Sequence, residues 1–489
     1  RTLSKSKLMA FRQCPRRLWL EVHAPERKQD SAQTQSSYRA GLSVGDIARR
    51  LYDPQQQGTL IDLDTLGFPA VFDATAQAMR QRWPIFEAAF SAGGGLALAD
   101  VLLPVGDCAW RMIEVKSSTS VKDPQREDLA VQSYIVSQAG VQLAGTAIAH
   151  IDASWVYPGG GDYTGLLTEV DLTDEMRERM CEVPQWINQA QAVVDAAQMP
   201  CVKTGAQCND PYPCGFYAYC YSLEPKVEYP IQWLPRFPAQ RWVDQGVADL
   251  RDLPDEALNP LQQRVRDCTL RGEVFFDREG AAADLARYPL PAVFLDFETI
   301  QFAVPIWAGT RPYQQIPFQY SVHRLDTDRQ LTHSEFLDLS GQDPSRAFAE
   351  RLIRDCGTQE PVFVYNAAFE KTRLRELAER FPDLAGALQA IADRVVDLLP
   401  IARQRYYHPA QQGSWSIKAV LPAAVPELSY AALDGVQDGS GAQEAFLEAI
   451  APDTDPRRKA ELEKQLLAYC ALDTYAMVRL WEVLAGSDV

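Results

Sequence analysis

The sequence contains 489 residues, of which 46% are hydrophobic. A chain of this length is too long to fold around one ordinary hydrophobic core, so we expect two or three domains. Its 48 basic and 65 acidic residues give a formal charge of −17, which argues against a surface that coats nucleic acid or anionic membrane indiscriminately. No stretch approaches the ~18 consecutive apolar residues of a membrane span, and the basic start lacks a signal-peptide core, which predicts a soluble cytoplasmic protein with no membrane partner.

Residues 1–225 mix helical patterns with strand-like apolar runs. The spacing predicts a helix over 5–21 and a β-hairpin over 84–103, whose turn is the glycine run 93–95. The first fifty residues hold 11 basic and four acidic side chains, a net charge of +7. We therefore expect a local basic patch inside an acidic chain.

Residues 226–288 show no strand core and resemble short helices separated by prolines, which predicts a helical connector. After it, an apolar run at 292–295 opens a second α/β region, residues 289–489, that ends in a well-patterned helix over 457–484. The predicted fold class is α/β (α+β), with two domains joined by the connector.

Three polar residues lie on apolar, strand-like runs of the first region. Asp100 lies in one run, and Glu114 and Lys116 lie on one face of the next, because alternate strand residues share a face. Burying two acids and a lysine is costly unless they pair or bind a cation. Asp100 and Glu114 could hold Mg²⁺ or Mn²⁺ against a scissile phosphate, while Lys116 orients water or stabilises charge. The alternative is a solvated Glu–Lys pair on an edge strand.

The order Asp100, thirteen residues, Glu114-Val-Lys116 and then a helical segment ending at Gln132 resembles the PD-(D/E)XK nucleases of the RecB type. The resemblance covers residues 1–225 and implies a restriction-endonuclease-like domain. It implies that Asp100 and Glu114 bind metal, that Lys116 belongs to the active site, and that Gln132 supports them.

The sequence departs from that family at two places. The histidine often found in the N-terminal helix is absent from residues 41–46, and the tyrosine that follows Gln132 lies at 134 rather than at 136. Glu87 is a candidate additional ligand, although a surface glutamate is the simpler interpretation.

Cys208, Cys214 and Cys220 gather three thiols within thirteen residues. A tetrahedral zinc site or a cubane cluster needs a fourth ligand, for which Cys14 is the candidate and Cys201 the competitor. Spacing alone does not separate zinc from iron–sulfur, and the alternative is that these are unrelated small buried residues. The remaining cysteines are expected to be ordinary core residues: Cys108, Cys181, Cys268, Cys356 and Cys470.

One cysteine near the start and three after the nuclease core resemble the iron–sulfur branch of the RecB-type family, which includes CRISPR-associated exonucleases. That resemblance implies a structural [4Fe-4S] cluster, which would fasten the first helix to the end of the domain. Its implied ligands are Cys14, Cys208, Cys214 and Cys220, with structural Zn²⁺ as the alternative.

A third constellation lies in the second region. Asp296 and Glu298 are at i and i+2 of an apolar strand, and Tyr469 and Asp473 are at i and i+4 of a helix, so each pair shares one face. Glu370 adds an acid where another apolar strand turns into a helix. Carboxylates that converge in this way repel one another, and divalent cations are the natural remedy.

These segments, in this order, resemble the DnaQ-like 3′→5′ exonucleases with an RNase H-like fold, of the DEDD subclass with Tyr in the third motif. The match covers residues 289–489, although Glu370 replaces the usual Asp. The resemblance implies that Tyr469 positions the attacking water, and Lys418 is a candidate phosphate contact. The implied ligands of two metal ions are Asp296, Glu298, Glu370 and Asp473.

The two halves together resemble an uncharacterised bacterial family that joins a RecB-like nuclease to a DnaQ-like domain, a likeness carried by 151–171 and 313–320. We therefore expect a metal-dependent DNA nuclease that acts on single strands or ends, 5′→3′ in the first domain and 3′→5′ in the second. The alternatives are an iron–sulfur protein that binds or senses nucleic acid through degenerate nuclease folds, and an RNA-processing exonuclease. Repair, defence and CRISPR-type processing all remain compatible.

Basic and aromatic side chains near the two sites are candidates for guiding a strand. They are Arg12, Arg16, Arg17, Lys122 and Arg126 near the first site, and Lys371, Arg373, Arg403, Arg405 and Tyr406 near the second.

Overall fold

The computed structural model describes residues 2–486, which form two compact units. The first unit runs to Lys226 and also contains Phe302–Gln314, and the second contains Val227–Gln301 and continues from Gln315. Both units combine helices with a mixed sheet, so the predicted α/β class is confirmed. Within the described residues, no helix has both the length and the apolar composition needed to cross a membrane.

The first unit is built on a seven-stranded sheet with the order β2-β3-β4-β5-β6-β7, in which the short β1 also pairs with β4. Its strands are β1 (Leu3–Ser4), β2 (Thr59–Leu60), β3 (Ile85–Ala92), β4 (Gly95–Val105), β5 (Ala109–Lys116), β6 (Leu143–Ile151) and β7 (Leu167–Asp171). The hairpin expected over 84–103 is present as β3 and β4, and Gly93 and Gly94 occupy its turn with positive φ. β5 and β6 are parallel, whereas β4 is antiparallel to both β3 and β5.

The described residues of the first unit also form α-helices. They are α1 (Lys5–Gln13), α2 (Pro15–His23), α3 (Ala32–Tyr52), α4 (Leu63–Leu66), α5 (Ala70–Gln81), α6 (Asp123–Gln138), α7 (Thr173–Arg179), α8 (Val183–Asp195) and α9 (Tyr217–Ser222). The single helix expected over 5–21 is wrong, because Pro15 starts a new helix and Cys14 before it is extended, with φ −163° and ψ 122°. Cys14 therefore lies at a break between two helices.

Phe302–Gln314 groups with the first unit although it lies between two strands of the second. Its backbone Thr310 C=O accepts a hydrogen bond of 2.9 Å from Tyr157 N–H, and Tyr163 Oη donates to Pro305 O at 3.1 Å. Tyr313 Oη donates to Ser117 O, one residue beyond β5.

The second unit has a five-stranded sheet with the order β11-β10-β9-β12-β13 and a separate pair, β8 with β14. The strands are β8 (Phe275–Phe276), β9 (Ala292–Ile300), β10 (Ile316–Leu325), β11 (Leu331–Leu337), β12 (Val362–Val364), β13 (Val395–Asp397) and β14 (Tyr406–Tyr407). β9 is central, antiparallel to β10 and parallel to β12. Apolar β9 side chains Val293, Phe294 and Leu295 are fully buried.

The helices of the second unit begin in the segment expected to be a connector. They are α10 (Ala239–Val243), α11 (Pro260–Arg271), α12 (Arg278–Leu285), α13 (Ser345–Asp355), α14 (Ala368–Arg380), α15 (Ala385–Asp393), α16 (Leu398–Arg405), α17 (Ile417–Ala424), α18 (Gly439–Ile450) and α19 (Pro456–Ala485). The helix expected over 457–484 is α19. Asp455 caps its first turn, Pro456 begins it and Gly486 ends it at φ +72°.

Candidate metal-binding sites

Asp100 and Glu114 lie side by side on neighbouring strands of the first unit. The antiparallel register of β4 and β5 pairs Val101 with Ile113, so the next position places Asp100 beside Glu114. Asp100 is held there because its Oδ2 accepts a 2.8 Å hydrogen bond from the backbone N–H of Val115. The structure thus brings together the two acids that the sequence predicts as ligands.

Two lysines share the carboxylate of Glu114. Lys116 Nζ, on the same strand, lies 2.6 Å from Glu114 Oε1, and Lys5 Nζ of α1 lies 3.0 Å from the same oxygen. Both ammonium groups also reach Asp128 of α6, at 2.5 Å for Lys116 and 3.5 Å for Lys5. Gln132 Nε2 donates to Glu114 Oε2 at 2.5 Å. Both oxygens of Glu114 are therefore held in place.

Sequence patterns missed Lys5 and Asp128. Asp128 lies one helical turn before Gln132, and this i, i+4 spacing was a usable signal that both face the same acid. Lys5 gives no such signal, because 109 positions separate it from Glu114 and only the folded chain brings the two together.

Burial raises the pKa of Asp100 well above its usual value, and the negative charge of Glu114 raises it further. Burial acts on Glu114 in the same direction, but the ammonium groups of Lys116 and Lys5 outweigh it and lower the pKa of that carboxyl. Burial opposes the charged form of Lys116, yet Asp128 and Glu114 raise its pKa. Asp100 is therefore the carboxyl that a bound cation would ionise.

A pocket of about 290 Å³ opens in front of these acids and is walled on one side by α3. Gly41 and Gly45 of α3 line this pocket, and a Cβ at either position would meet no atom within 4 Å, so the space beside them is open. Glu87 also lines the pocket, opposite Asp100 in the register of β3 and β4. Its φ is +56°, a strained conformation for a non-glycine residue. Glu87 is half-buried and does not lie on the open surface that the simpler interpretation required.

The four predicted cysteine ligands line one pocket of the first unit, which also contains Arg16 and Arg17. They are Cys14, Cys208, Cys214 and Cys220. Burial raises the thiol pKa of Cys220, while a hydrogen bond from Arg16 lowers it. No three of these thiols lie within 4.8 Å of one another, a looser spacing than the ~3.8 Å between ligands of tetrahedral zinc with ~2.3 Å bonds.

The other cysteines divide by exposure. Cys201, the competing ligand, is exposed and lies outside that pocket. Cys108 and Cys181 are also exposed, so their prediction as core residues is wrong; Cys108 lies in the turn between β4 and β5, and Cys181 follows the polar helix α7. Cys356 and Cys470 are buried as expected, and Cys268 is half-buried.

The second unit gathers Asp296 and Glu298 of β9 with Asp473 of α19. One carboxylate oxygen from each lies within 4.8 Å of the others, and no other group of three or more His, Cys, Asp or Glu side chains in residues 2–486 is so close. Glu298 is 8% exposed and Asp473 6%. The strand and helix periods predicted the two halves of this group, and packing of α19 on β9 joins them.

Burial raises the pKa values of the three grouped acids, and mutual repulsion raises those of Asp296 and Glu298 further. Burial and the charges of Asp473 and Glu298 raise the pKa of Asp296 well above its usual value. Burial and Asp473 raise the pKa of Glu298 to about 8. Burial raises the pKa of Asp473 to about 6, although hydrogen bonds from Tyr430 and Tyr469 and the charge of Lys418 oppose the rise. Divalent cations would remove this penalty.

Glu370, the fourth predicted ligand, lies outside the 4.8 Å group but faces it, since its charge contributes to the raised pKa of Asp296. Its side chain is 2% exposed, and Oε2 has no hydrogen-bond partner. Burial, together with the charge of Asp397, raises the pKa of Glu370 to about 8. A buried carboxylate oxygen without a partner is costly, and a bound cation would relieve that cost.

Tyr469 lies at the edge of the acidic group, beside two residues of the preceding segment. Lys418 Nζ of α17 donates to Tyr469 Oη at 3.2 Å and to Gln437 O at 2.9 Å. Tyr430 Oη donates to Asp473 Oδ1 at 2.6 Å. Lys418 was singled out from the sequence, whereas Tyr430 was not, because it lies in an irregular proline-containing segment without a repeating pattern.

Most side chains expected to guide a strand are engaged elsewhere. Tyr406 is 5% exposed, so it is a core residue and its prediction as a guide is wrong. Ion pairs join Arg12 to Glu127, Arg17 to Glu21, Arg126 to Glu175, Arg373 to Glu376, and Arg405 to Asp277 and Asp284. The excess positive charge of the first fifty residues is thus partly neutralised by acids from later segments.

Comparison with known proteins matches part of the second unit, including three of its candidate ligands, to a family of unknown function. Residues 293–416, which contain Asp296, Glu298 and Glu370, match a family described as a domain of unknown function, DUF2779. A Mycoplasma pneumoniae protein described as an uncharacterised MG366 homologue is 29% identical over 207 residues, 38% of this chain and 31% of that protein. The uncharacterised Mycoplasma genitalium protein MG366 is 27% identical over 208 residues, with the same coverage. The chain thus spans about a third of the length of these curated relatives, to which it is distantly similar.

Proposed function

We propose that the chain is a metal-dependent DNA nuclease with two active sites, one RecB-like in the first unit and one DnaQ-like in the second. The close approach of Asp296, Glu298 and Asp473 carries the proposal, because carboxylates within 4.8 Å of one another repel when ionised and a bound cation removes that repulsion. The acid and lysine cluster around Glu114 supports a second site.

The charges of the two sites suggest different metal requirements. In the second unit, one lysine, the half-buried Lys418, lies beside four acids, namely the three grouped acids and Glu370. In the first unit, Glu114 and Asp128 already share two ammonium groups. This difference supports two divalent ions in the second site and one in the first.

Each site would hydrolyse a phosphodiester by adding a water oxygen to phosphorus, breaking the bond to the sugar oxygen, which then takes up a proton. Bound Mg²⁺ or Mn²⁺ would activate the water and stabilise the leaving oxygen. In the second site, Tyr469 would orient the water from the edge of the acidic group. In the first, Lys116 would offset charge at the phosphate while Gln132 keeps Glu114 in position.

The substrate best supported is a single strand or a frayed end. Asp100 and Glu114 line a pocket of about 290 Å³, and a base must leave the duplex stack to enter a pocket of this kind. The acidic total charge is compatible with such local binding, since charges more than ~8 Å away are screened at physiological salt.

End-labelled DNA oligonucleotides, single-stranded and blocked at either end, test this function with Mn²⁺ present. Asp100→Ala is expected to abolish 5′→3′ trimming, Asp296→Ala to abolish 3′→5′ trimming, and the double variant to abolish both. A double variant that cuts as well as the natural chain refutes both sites. Binding without any cutting would favour a sensing protein, and preference for a matched RNA oligonucleotide would favour RNA processing.

We also propose a structural [4Fe-4S] cluster at the four-cysteine pocket. Four cysteines on one pocket are a suitable donor set, and Arg16 and Arg17 would offset thiolate charge. Protein purified anaerobically should contain iron and absorb broadly in the visible range, and Cys214→Ser should remove both signals. Cys201→Ser is the matched control and should retain them. Zinc without iron would refute the cluster.

A further inference from the structure

Tyr430 and Lys418 hold the two functional side chains of α19 without belonging to the acidic group themselves. Tyr430 is 8% exposed, Tyr469 4% and Asp473 6%, so the contacts are shielded from water. The three aromatic and basic groups pack together: Lys418 Nζ lies 4.9 Å from the ring centre of Tyr469 and 5.2 Å from that of Tyr430. An ammonium enclosed by two phenol rings is fixed in place by cation–π attraction.

The first contact selects one oxygen of Asp473. A phenol donates a single proton, and Tyr430 gives its proton to Oδ1 of Asp473 at 2.6 Å. The carboxylate cannot then rotate freely, because one of its two oxygens is held by Tyr430. Asp473 is thereby held in an orientation that keeps one carboxylate oxygen within 4.8 Å of the other two acids.

The second contact sets the polarity of Tyr469. An ammonium can only donate, so the 3.2 Å hydrogen bond from Lys418 obliges the Tyr469 oxygen to accept. The proton of Tyr469 must then point elsewhere, and Asp473 is its partner. Lys418 is itself held by the backbone carbonyl of Gln437 at 2.9 Å.

The segment closes over the acids from another side as well. At Gly439, the first residue of α18, a Cβ would lie 3.8 Å from Glu298 Oε2. Gln437 and Gly439 thus bring the start of α18 against the same site. Residues 417–439 therefore contact Asp473 and its neighbour Tyr469, and they approach Glu298.

From this arrangement we infer that Tyr430 and Lys418 are positioning residues of the 3′→5′ site, Tyr430 acting through Asp473 and Lys418 through Tyr469. The inference rests on the proposed function of that site. It assigns residues 417–439 a role in metal binding and in water orientation that the acids alone do not provide.

The two residues should affect metal binding in opposite directions. Tyr430→Phe removes only the hydroxyl that fixes Asp473, so Mn²⁺ should bind about tenfold more weakly, as when other outer hydrogen-bond partners of ligands are lost. Lys418→Met removes a positive charge beside the cation, so Mn²⁺ should bind at least as tightly as before, while the turnover number falls about tenfold because Tyr469 loses its orientation.

Mn²⁺ affinity is measured on the full chain by electron paramagnetic resonance of the free ion, in an Asp100→Ala background that weakens the first site. Tyr407→Phe is the matched control: Tyr407 is fully buried in the same unit and its hydroxyl shares a 2.7 Å hydrogen bond with Thr269, away from the acids. It should leave Mn²⁺ affinity unchanged.

The inference is overturned if Tyr430→Phe binds Mn²⁺ within twofold of the natural residue, or if Lys418→Met weakens binding as Tyr430→Phe does, since a merely structural segment would move both together. Asp296→Ala distinguishes failure of the metal site from failure of the positioning role. If Asp296→Ala retains full Mn²⁺ affinity, the proposed metal site itself fails; if it loses affinity and Tyr430→Phe does not, only the positioning role fails.

Discussion

Lys5 and Glu114 form a 3.0 Å ion pair although 109 positions separate them in the chain. The Glu114 side chain is almost fully buried, and Lys5 reaches it from the first turn of α1, which Ser4 caps. Helix α1 is therefore part of the candidate first site.

Replacing Lys5 by Met should destabilise the first unit by about 2 kcal/mol, less than the ~3–5 kcal/mol of an isolated buried pair because Lys116 still compensates Glu114. It should also reduce 5′→3′ trimming. The loss of stability is measured by urea unfolding of the first unit, monitored by hydrogen exchange of the β5 amides. Lys7→Met is the matched control, since Lys7 lies on the same helix without an acidic partner among the described residues; an equal loss in both variants would contradict the ion-pair role.

Gly45→Leu should block the pocket in front of Asp100 without unfolding α3. No atom lies within 4 Å of a Cβ at this position, so Gly45→Ala fits and should stabilise the helix by up to about 1 kcal/mol. The longer leucine would occupy the space that a nucleotide needs. The ratio of 5′→3′ to 3′→5′ trimming in the two variants is the measurement, and equal trimming by Gly45→Leu would place the substrate elsewhere.

The metal-free second unit should lose stability as pH rises from about 5 to 8. Glu298 and Glu370 have pKa values of about 8 when folded, against ~4.3 in an unfolded chain. Folding raises these pKa values, so the native state keeps the protons longer; the stability is fully present below the unfolded pKa and is lost as pH rises through the folded one. At ~1.4 kcal/mol for each unit, one such group contributes at most about 5 kcal/mol.

Thermal unfolding in EDTA across that pH range tests this dependence. Glu370→Gln should flatten the slope, because the amide stays neutral, and Mg²⁺ should flatten it in the natural chain. Glu379→Gln, at an exposed position of the same helix, should leave the slope unchanged. A stability that rises with pH over this range would show that the two acids are ionised without metal.

Site residues could be predicted from the sequence where the residues that act together lie within one helix or one strand. Asp296 with Glu298, and Tyr469 with Asp473, were found because strand and helix periods fix which residues share a face. The contacts of Lys5 and Tyr430 depend on packing between elements far apart in sequence, which no local pattern encodes. The break at Cys14 was visible in Pro15 but was outweighed by the helical spacing around it.

Gly413→Ala should be among the most destabilising substitutions in the second unit. Gly413 has φ +75°, and an added Cβ would lie 1.5 Å from the backbone oxygen of Trp233. Strain and the clash together should cost at least about 2 kcal/mol. Gly386→Ala, in α15 with nothing within 4 Å, should be neutral or stabilising. Denaturant midpoints compare them, and similar midpoints would mean that the loop can move aside.

The grouping of Phe302–Gln314 with the first unit has a consequence for dissecting the gene. A fragment that stops at Lys226 would lack Thr310, Pro305 and Tyr313, and with them the acceptors of Tyr157 and Tyr163 and the donor to Ser117. The complementary fragment would carry those thirteen residues as an unsupported loop between β9 and β10. The two units are thus interleaved along the sequence, and expressing either alone requires supplying or excising that loop.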